Sequence, residues 1–143
     1  MPTPQDVIAS LYRAFNTRNF DAYAQFLTPD FQLRAKGGVS VRGIEACQAF
    51  DREWVSAFPD GHITMETQVA DASSVMGECR FVGTHTGALR GAAGEVPATG
   101  KQVEITYMVA FEFQGDKITS KHVYYDQLEL LQQLGLTPVP GHG

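Results

Sequence analysis

The stretch from Val103 to Phe113 constrains this chain more than any other. Its odd-numbered residues, Val103, Ile105, Tyr107, Val109, Phe111 and Phe113, are all apolar or aromatic, whereas Glu104, Thr106, Met108, Ala110 and Glu112 alternate with them. That period belongs to a strand with one face against a core. A strand this long needs long neighbours and a layer to cover its apolar face. Either the even-numbered face is solvated or a second copy of the chain covers it.

The covering layer is found upstream. Thr3 and Pro4 suit a helix start, and Val7, Ile8, Leu11, Tyr12 and Phe15 recur at helical spacing. Asn16-Thr17-Arg18-Asn19 interrupts the pattern. A second short helix carries Phe20, Tyr23, Phe26 and Leu27, and Thr28-Pro29-Asp30 is expected to end it. Phe31–Ala35 alternates like a strand, and Lys36-Gly37-Gly38 reads as a turn. A third helix is expected from near Gly43 to about Phe58, with Ile44, Cys47, Phe50, Trp54, Val55 and Phe58 in period, stopped by Pro59-Asp60-Gly61. His62–Val69 and Val75–Thr86 alternate, and Gly87–Gly100 reads as a long glycine-rich connection. Gln114-Gly115-Asp116 is a tight turn into a last strand, 117–126, and a short amphipathic helix follows. Helices on one face of a curved antiparallel sheet make an α+β fold, and the concavity between them is the default place for a small-molecule pocket.

The 143 residues suit a single domain, 1–143, with its core over about 5–136 and a loose tail, 137–143. A net charge of -5, without any basic run, argues against nucleic acid or an anionic membrane as partner. The start of the chain lacks a basic and apolar leader, and no run of apolar residues has spanning length. A cytoplasmic location is therefore expected. Cys47 and Cys79 read as small buried hydrophobes, with a disulfide left open. No phosphate-binding loop, dinucleotide fingerprint, nucleophile elbow or zinc-ligand spacing occurs, so no metal or organic cofactor is expected.

Several segments together resemble the SnoaL-like polyketide cyclases. They are Phe58-Pro59-Asp60, Gly83-Thr84-His85-Thr86-Gly87, Ala98-Thr99-Gly100-Lys101, and Tyr124-Tyr125-Asp126 followed by Gln133-Leu134-Gly135-Leu136. The resemblance spans nearly the whole chain. It implies the cone-shaped α+β fold of the nuclear transport factor 2-like superfamily, a curved sheet packed with N-terminal helices around a central pocket. It also implies a homodimer through the sheet face and a cofactor-free, aldol-type proton transfer on a small hydrophobic carbonyl compound or polyketide ester. In that family an acid at the end of the last strand is the general acid/base, and the matching residue here is Asp126. The cyclases also place a histidine on the neighbouring long strand. Glu104–Phe111 carries none, so proton transfer here would use another donor.

Strand alternation puts His122, Tyr124 and Asp126 on one face, which is either a catalytic wall or a solvated surface. The resemblance favours the wall, with Asp126 as the general acid/base. The residues alone leave Asp126 equally readable as the cap of the following helix. His122, Tyr124, His85, Trp54 and Met108 are the candidate ligand contacts. The alternatives are an isomerase, dehydratase or hydrolase on the same fold, or a binding module without catalysis.

Overall fold

The computed structural model describes residues 3–35, 38–91 and 94–136. The expected tail, and most of the expected turn at Lys36-Gly37-Gly38, lie outside the described residues.

Helix α1 (Pro4–Asn16) starts in a capping box: the Thr3 hydroxyl accepts the Asp6 N–H, and the Asp6 carboxylate accepts the Thr3 N–H. Val7, Ile8, Leu11, Tyr12, Ala14 and Phe15 are buried along one side. Helix α2 (Phe20–Ala24) follows, capped by Asn19. Strand β1 (Leu27–Ala35) begins earlier than the sequence suggests, because Thr28-Pro29-Asp30 lies within it rather than ending a helix. The register with the neighbouring strand shifts between Leu27 and Gln32, and this irregularity accommodates Pro29, which has no N–H for a ladder. Strand β2 (Val39–Arg42), absent from the expected elements, pairs back on β1. Helix α3 (Ile44–Ala57) matches its expected span.

The remaining strands are β3 (His62–Ala70), β4 (Ser74–Thr84), β5 (Leu89–Gly91), β6 (Gly94–Val96), β7 (Gln102–Gln114) and β8 (Lys117–Tyr124), and helix α4 (Gln127–Gln133) follows. The Gly87–Gly100 connection thus holds a small hairpin, β5–β6. Gly115, at φ 61°, lets the chain turn from β7 into β8. The main sheet runs β2-β1-β8-β7-β4-β3. It is antiparallel except at β1–β8, which is parallel, so the expected all-antiparallel sheet is corrected at that one seam.

On β7 the odd-numbered residues Val103, Ile105, Val109, Phe111 and Phe113 are buried, and on β4 Val75, Cys79 and Phe81 are. Both cysteines are free and buried. The helices lie against this face. Asn16, at the end of α1, donates to the Ile63 carbonyl and accepts the Ile63 N–H, both at 2.9 Å, so its amide pairs with β3 as a strand residue would. Arg18 donates to the carbonyls of Phe15, Pro59 and Gly61 and ties the α1–α2 corner to the loop after α3. Among the described residues no helix is long and apolar enough to cross a membrane.

Candidate active site

The concave face of the sheet and helix α3 enclose a cavity of about 180 Å³. Its walls are mostly apolar: Phe15, Phe50, Trp54, Phe81, Ile105 and Leu130 contribute. The β5–β6 hairpin closes one side with Leu89, Arg90 and Val96. Arg90 pairs with Glu95 within the hairpin at 3.1 Å and reaches Glu53 on α3 at 3.8 Å.

Besides Arg90, two buried charged side chains interrupt this lining. Asp51 comes from α3 and Lys121 from the centre of β8; each is 8% exposed. Asp51 follows Cys47 by four residues and precedes Trp54 by three, so it lies on the inward stripe of its helix. Lys121 lies opposite Phe111 in the β7–β8 ladder, on the inward face. Its Nζ is 5.5 Å from the Tyr12 ring centroid and 5.8 Å from that of Phe111. Among the described residues neither side chain makes a hydrogen bond or an ion pair. Burial pushes the Asp51 carboxyl up to about 6, and the positive charge of Lys121 only partly opposes this.

Tyr107 and Tyr125 also face the cavity. The Tyr107 hydroxyl donates to that of Tyr12 at 3.4 Å, and the Cys79 thiol reaches Tyr12 from beyond at 3.6 Å. Burial raises the phenol pKa of Tyr12, Tyr107 and Tyr125, which keeps them neutral donors. The Tyr125 hydroxyl makes no hydrogen bond among the described residues. The site thus offers a carboxyl poised near neutrality, an amine and phenols in an otherwise apolar enclosure. Among the described residues no three His, Cys, Asp or Glu side chains gather as a metal would require.

Of the residues singled out from the sequence, Trp54 lines the cavity, 5.0 Å from the Phe58 ring and 5.4 Å from that of Phe81. The inward face of the last strand carries Lys121, Val123 and Tyr125, so His122 and Tyr124 point away from the cavity. Those two pair with each other on the outer face, with Tyr124 Oη 2.9 Å from His122 Nδ1 and the ring centroids 4.2 Å apart at a tilt of 36°. Met108 lies opposite Tyr124 on that outer face and is 47% exposed. Asp126 is exposed and caps α4, accepting the Glu129 N–H at 3.2 Å. Three of the expected contacts, His122, Tyr124 and Met108, therefore lie off the cavity wall, because the odd-numbered residues of β7 and the end of β8 turn inward; the expected acid, Asp126, lies off it as the cap of α4.

His85, the remaining expected contact, is fully buried beside the Phe58 ring and lies outside the cavity lining. Its Nδ1 accepts the Thr99 N–H and lies 3.0 Å from the Thr99 hydroxyl. Its backbone exchanges hydrogen bonds with Lys101 and Gly100. Burial lowers its pKa, against a smaller opposing effect of the Gly87 backbone. It fastens two loops together as a neutral imidazole, and its Nε2 has no partner among the described residues.

The pattern of the SnoaL-like polyketide cyclases matches residues 5–134. The chain belongs to the SnoaL-like polyketide cyclase family. Solved structures agree with this. A protein of Jannaschia sp. CCS1, designated a SnoaL-like polyketide cyclase, superposes with a TM-score of 0.84 at 20% identity, over 94% of this chain and 93% of that one. IdmH of Streptomyces antibioticus, designated a polyketide cyclase, is 27% identical with a TM-score of 0.78, over 92% and 98%. A Catenulispora acidiphila protein with a ketosteroid isomerase-like fold, solved with trimethylamine, gives 0.78 at 19% identity, over 94% and 95%. No curated protein sequence matches the chain.

The SnoaL-like frame accounts for the segments that carried the resemblance. Asp60 accepts both the N–H and the hydroxyl of Thr84, at 2.7 and 2.8 Å, which locks the loop after α3 to the end of β4. Thr86 and Gly87 both donate to the Ala57 carbonyl, and a Cβ on Gly87 would lie 2.0 Å from the Ser56 carbonyl oxygen. These motif residues tie the end of α3 to the end of β4. The polar groups inside the cavity, Asp51, Lys121, Tyr107 and Tyr125, were not singled out as site residues from the sequence. The signal for one of them was present: Asp51 is a carboxylate in the apolar stripe of a helix.

Proposed function

We propose that this SnoaL-like protein catalyses cofactor-free proton transfer beside the carbonyl of a small apolar compound, in a cyclisation or isomerisation, with Asp51 as the general acid/base. One observation carries the reading. The Asp51 carboxyl stands on the cavity wall, nearly fully buried and without a hydrogen-bond or ion-pair partner among the described residues, and burial brings its pKa to about 6. A carboxylate so placed takes a proton from carbon and returns it near neutral pH. Tyr125, whose hydroxyl makes no hydrogen bond among the described residues, would donate to the enolate oxygen as charge develops there. An engineered cavity of about 150 Å³ in another protein takes up benzene, so 180 Å³ suits a one- or two-ring compound.

The test is solvent-deuterium incorporation into cyclic ketones, 1,3-diketones and short polyketide methyl esters, followed by mass spectrometry. The Asp51→Asn variant is expected to lose about 10²–10⁴ in exchange rate. If the loss instead follows Asp126→Asn, the acid that matches the family position is the base and the Asp51 reading falls. A second reading, a ligand-binding module without catalysis, is favoured by one fact: Asp126 serves as the cap of α4. It predicts ligand binding with no deuterium incorporation by the wild type.

A further inference from the structure

We propose that Lys121 is a Schiff-base residue: its ε-amine forms an imine with the carbonyl of the ligand, a small cyclic ketone or 1,3-dicarbonyl compound, and Asp51 then moves the α-proton of that imine. This deepens the reading above and rests on the cavity being the reaction site.

Position is the first argument. Lys121 is buried on the inward face of a central strand, where a surface lysine would keep its charge in water. Its amine stands among the rings of Tyr12 and Phe111 and opens onto an apolar cavity. Among the described residues no carboxylate pairs with it, so its burial serves no structural ion pair. An amine desolvated in an apolar pocket is the setting in which enzymes form Schiff bases with carbonyl substrates. The second argument is the neighbour. Imine formation needs a group that both gives and takes protons, and Asp51 lines the same cavity, close enough to feel the charge of Lys121. The Arg90 guanidinium, also on the wall, is already held by Glu95 and Glu53.

The steps balance without another reactant. The Asp51 carboxylate takes a proton from the Lys121 ammonium; the Nζ lone pair then adds to the carbonyl carbon, the carbonyl π pair moves to oxygen, and a proton passes from the nitrogen to that oxygen. Protonated Asp51 gives its proton to the carbinolamine hydroxyl, which leaves as water, and a protonated imine and the Asp51 carboxylate remain. The Asp51 carboxylate removes the α-proton, and the C–H pair becomes the enamine double bond. The enamine carbon then attacks a second carbonyl of the same molecule, forming a carbon–carbon bond, or takes the proton back at another carbon. Water adds to the imine and releases Lys121 as the free amine. Through the imine nitrogen the protein stabilises the carbanion more strongly than a phenol alone would, which suits a site without the histidine of the cyclase pattern.

The experiment treats the full chain with 2-tetralone and sodium cyanoborohydride, then locates the reduced adduct by peptide mass spectrometry. Lys36, Lys101 and Lys117 are the internal controls. The adduct is expected predominantly at Lys121, with loss of both adduct and deuterium exchange in Lys121→Arg, which keeps the charge but forms no imine. Exchange that depends on Asp51 without an adduct at Lys121, or a Lys121→Arg variant with wild-type exchange, overturns the imine and leaves the proton-transfer reading standing. An adduct at Lys121 without exchange upholds the imine and sinks the proton-transfer reading; absence of both overturns the two together. The decisive measurement uses the wild type, so a misfolded variant does not blunt the test.

Discussion

Asp51 shows how one residue can set stability and activity against each other. A carboxyl whose folded pKa lies above its unfolded value binds its proton more tightly in the native state. Its stabilising contribution is complete below the ordinary carboxylate range and is lost as pH rises through about 6, above which ionised Asp51 burdens the fold. Asp51→Asn never ionises. Its Tm advantage over the wild type is expected to be small near pH 4 and to grow by several degrees toward pH 7, even as activity falls. A Tm difference that stays constant across this range in thermal melts would show that Asp51 does not titrate as a buried carboxyl.

At the scale of elements, the end of the last strand is set by a helix cap. Strand β8 ends at Tyr124, and the chain turns at once into α4 with Asp126 as its N-cap. Asp126→Ala is expected to lose about 1 kcal/mol in thermal or denaturant unfolding, and Asp126→Asn far less, because asparagine caps as well. α4 brings Leu130 and Leu131 to the cavity, so the alanine variant is also expected to weaken binding of ring ketones in titration calorimetry. An alanine variant as stable as the wild type would mean that the cap is energetically idle. The hairpin β5–β6 acts on the same cavity from the opposite side of the chain. Its three-residue strands fall below the length at which alternation can be read, which is why Gly87–Gly100 looked like plain loop.

On the scale of the whole molecule, the outer face of the sheet carries an exposed apolar patch beside the Arg80 ion pairs. Val69, Met76, Met108 and Tyr124 are exposed there, and the register makes Met76 a neighbour of Val69 and Met108 of Tyr124. Ala110 joins the two pairs, lying opposite Met76 on one side and His122 on the other. We infer that a second copy of the chain covers this face, as two such sheets packed around a two-fold axis would bury it mutually. Met108→Lys together with Met76→Lys is expected to shift the protein toward monomer in sedimentation velocity. An unchanged distribution, or a wild type that is monomeric at high concentration, would remove this interface.

How much of this was legible beforehand follows from the range of each interaction. Helices α1 and α3, the long strands and the α+β class were readable because period and capping are local: Thr3 and Asp6 need only each other, and the parity of Val103–Phe113 is written in consecutive residues. The family pattern was readable for the same reason, since Asp60 and Thr84 lock to each other and Gly87 has no room for a Cβ, constraints that short segments carry. What stayed hidden was which face of β8 looks inward, and with it the site. His122, Tyr124 and Asp126 carry the more conspicuous chemistry, whereas Lys121 alternates with them unremarked. Parity alone says only that the two sets are opposed. Helix α3 packing over the concave side of the sheet brings Asp51 and Lys121, seventy positions apart in the chain, into one desolvated space, and only that non-local burial turns an ordinary carboxylate and an ordinary amine into candidates for chemistry.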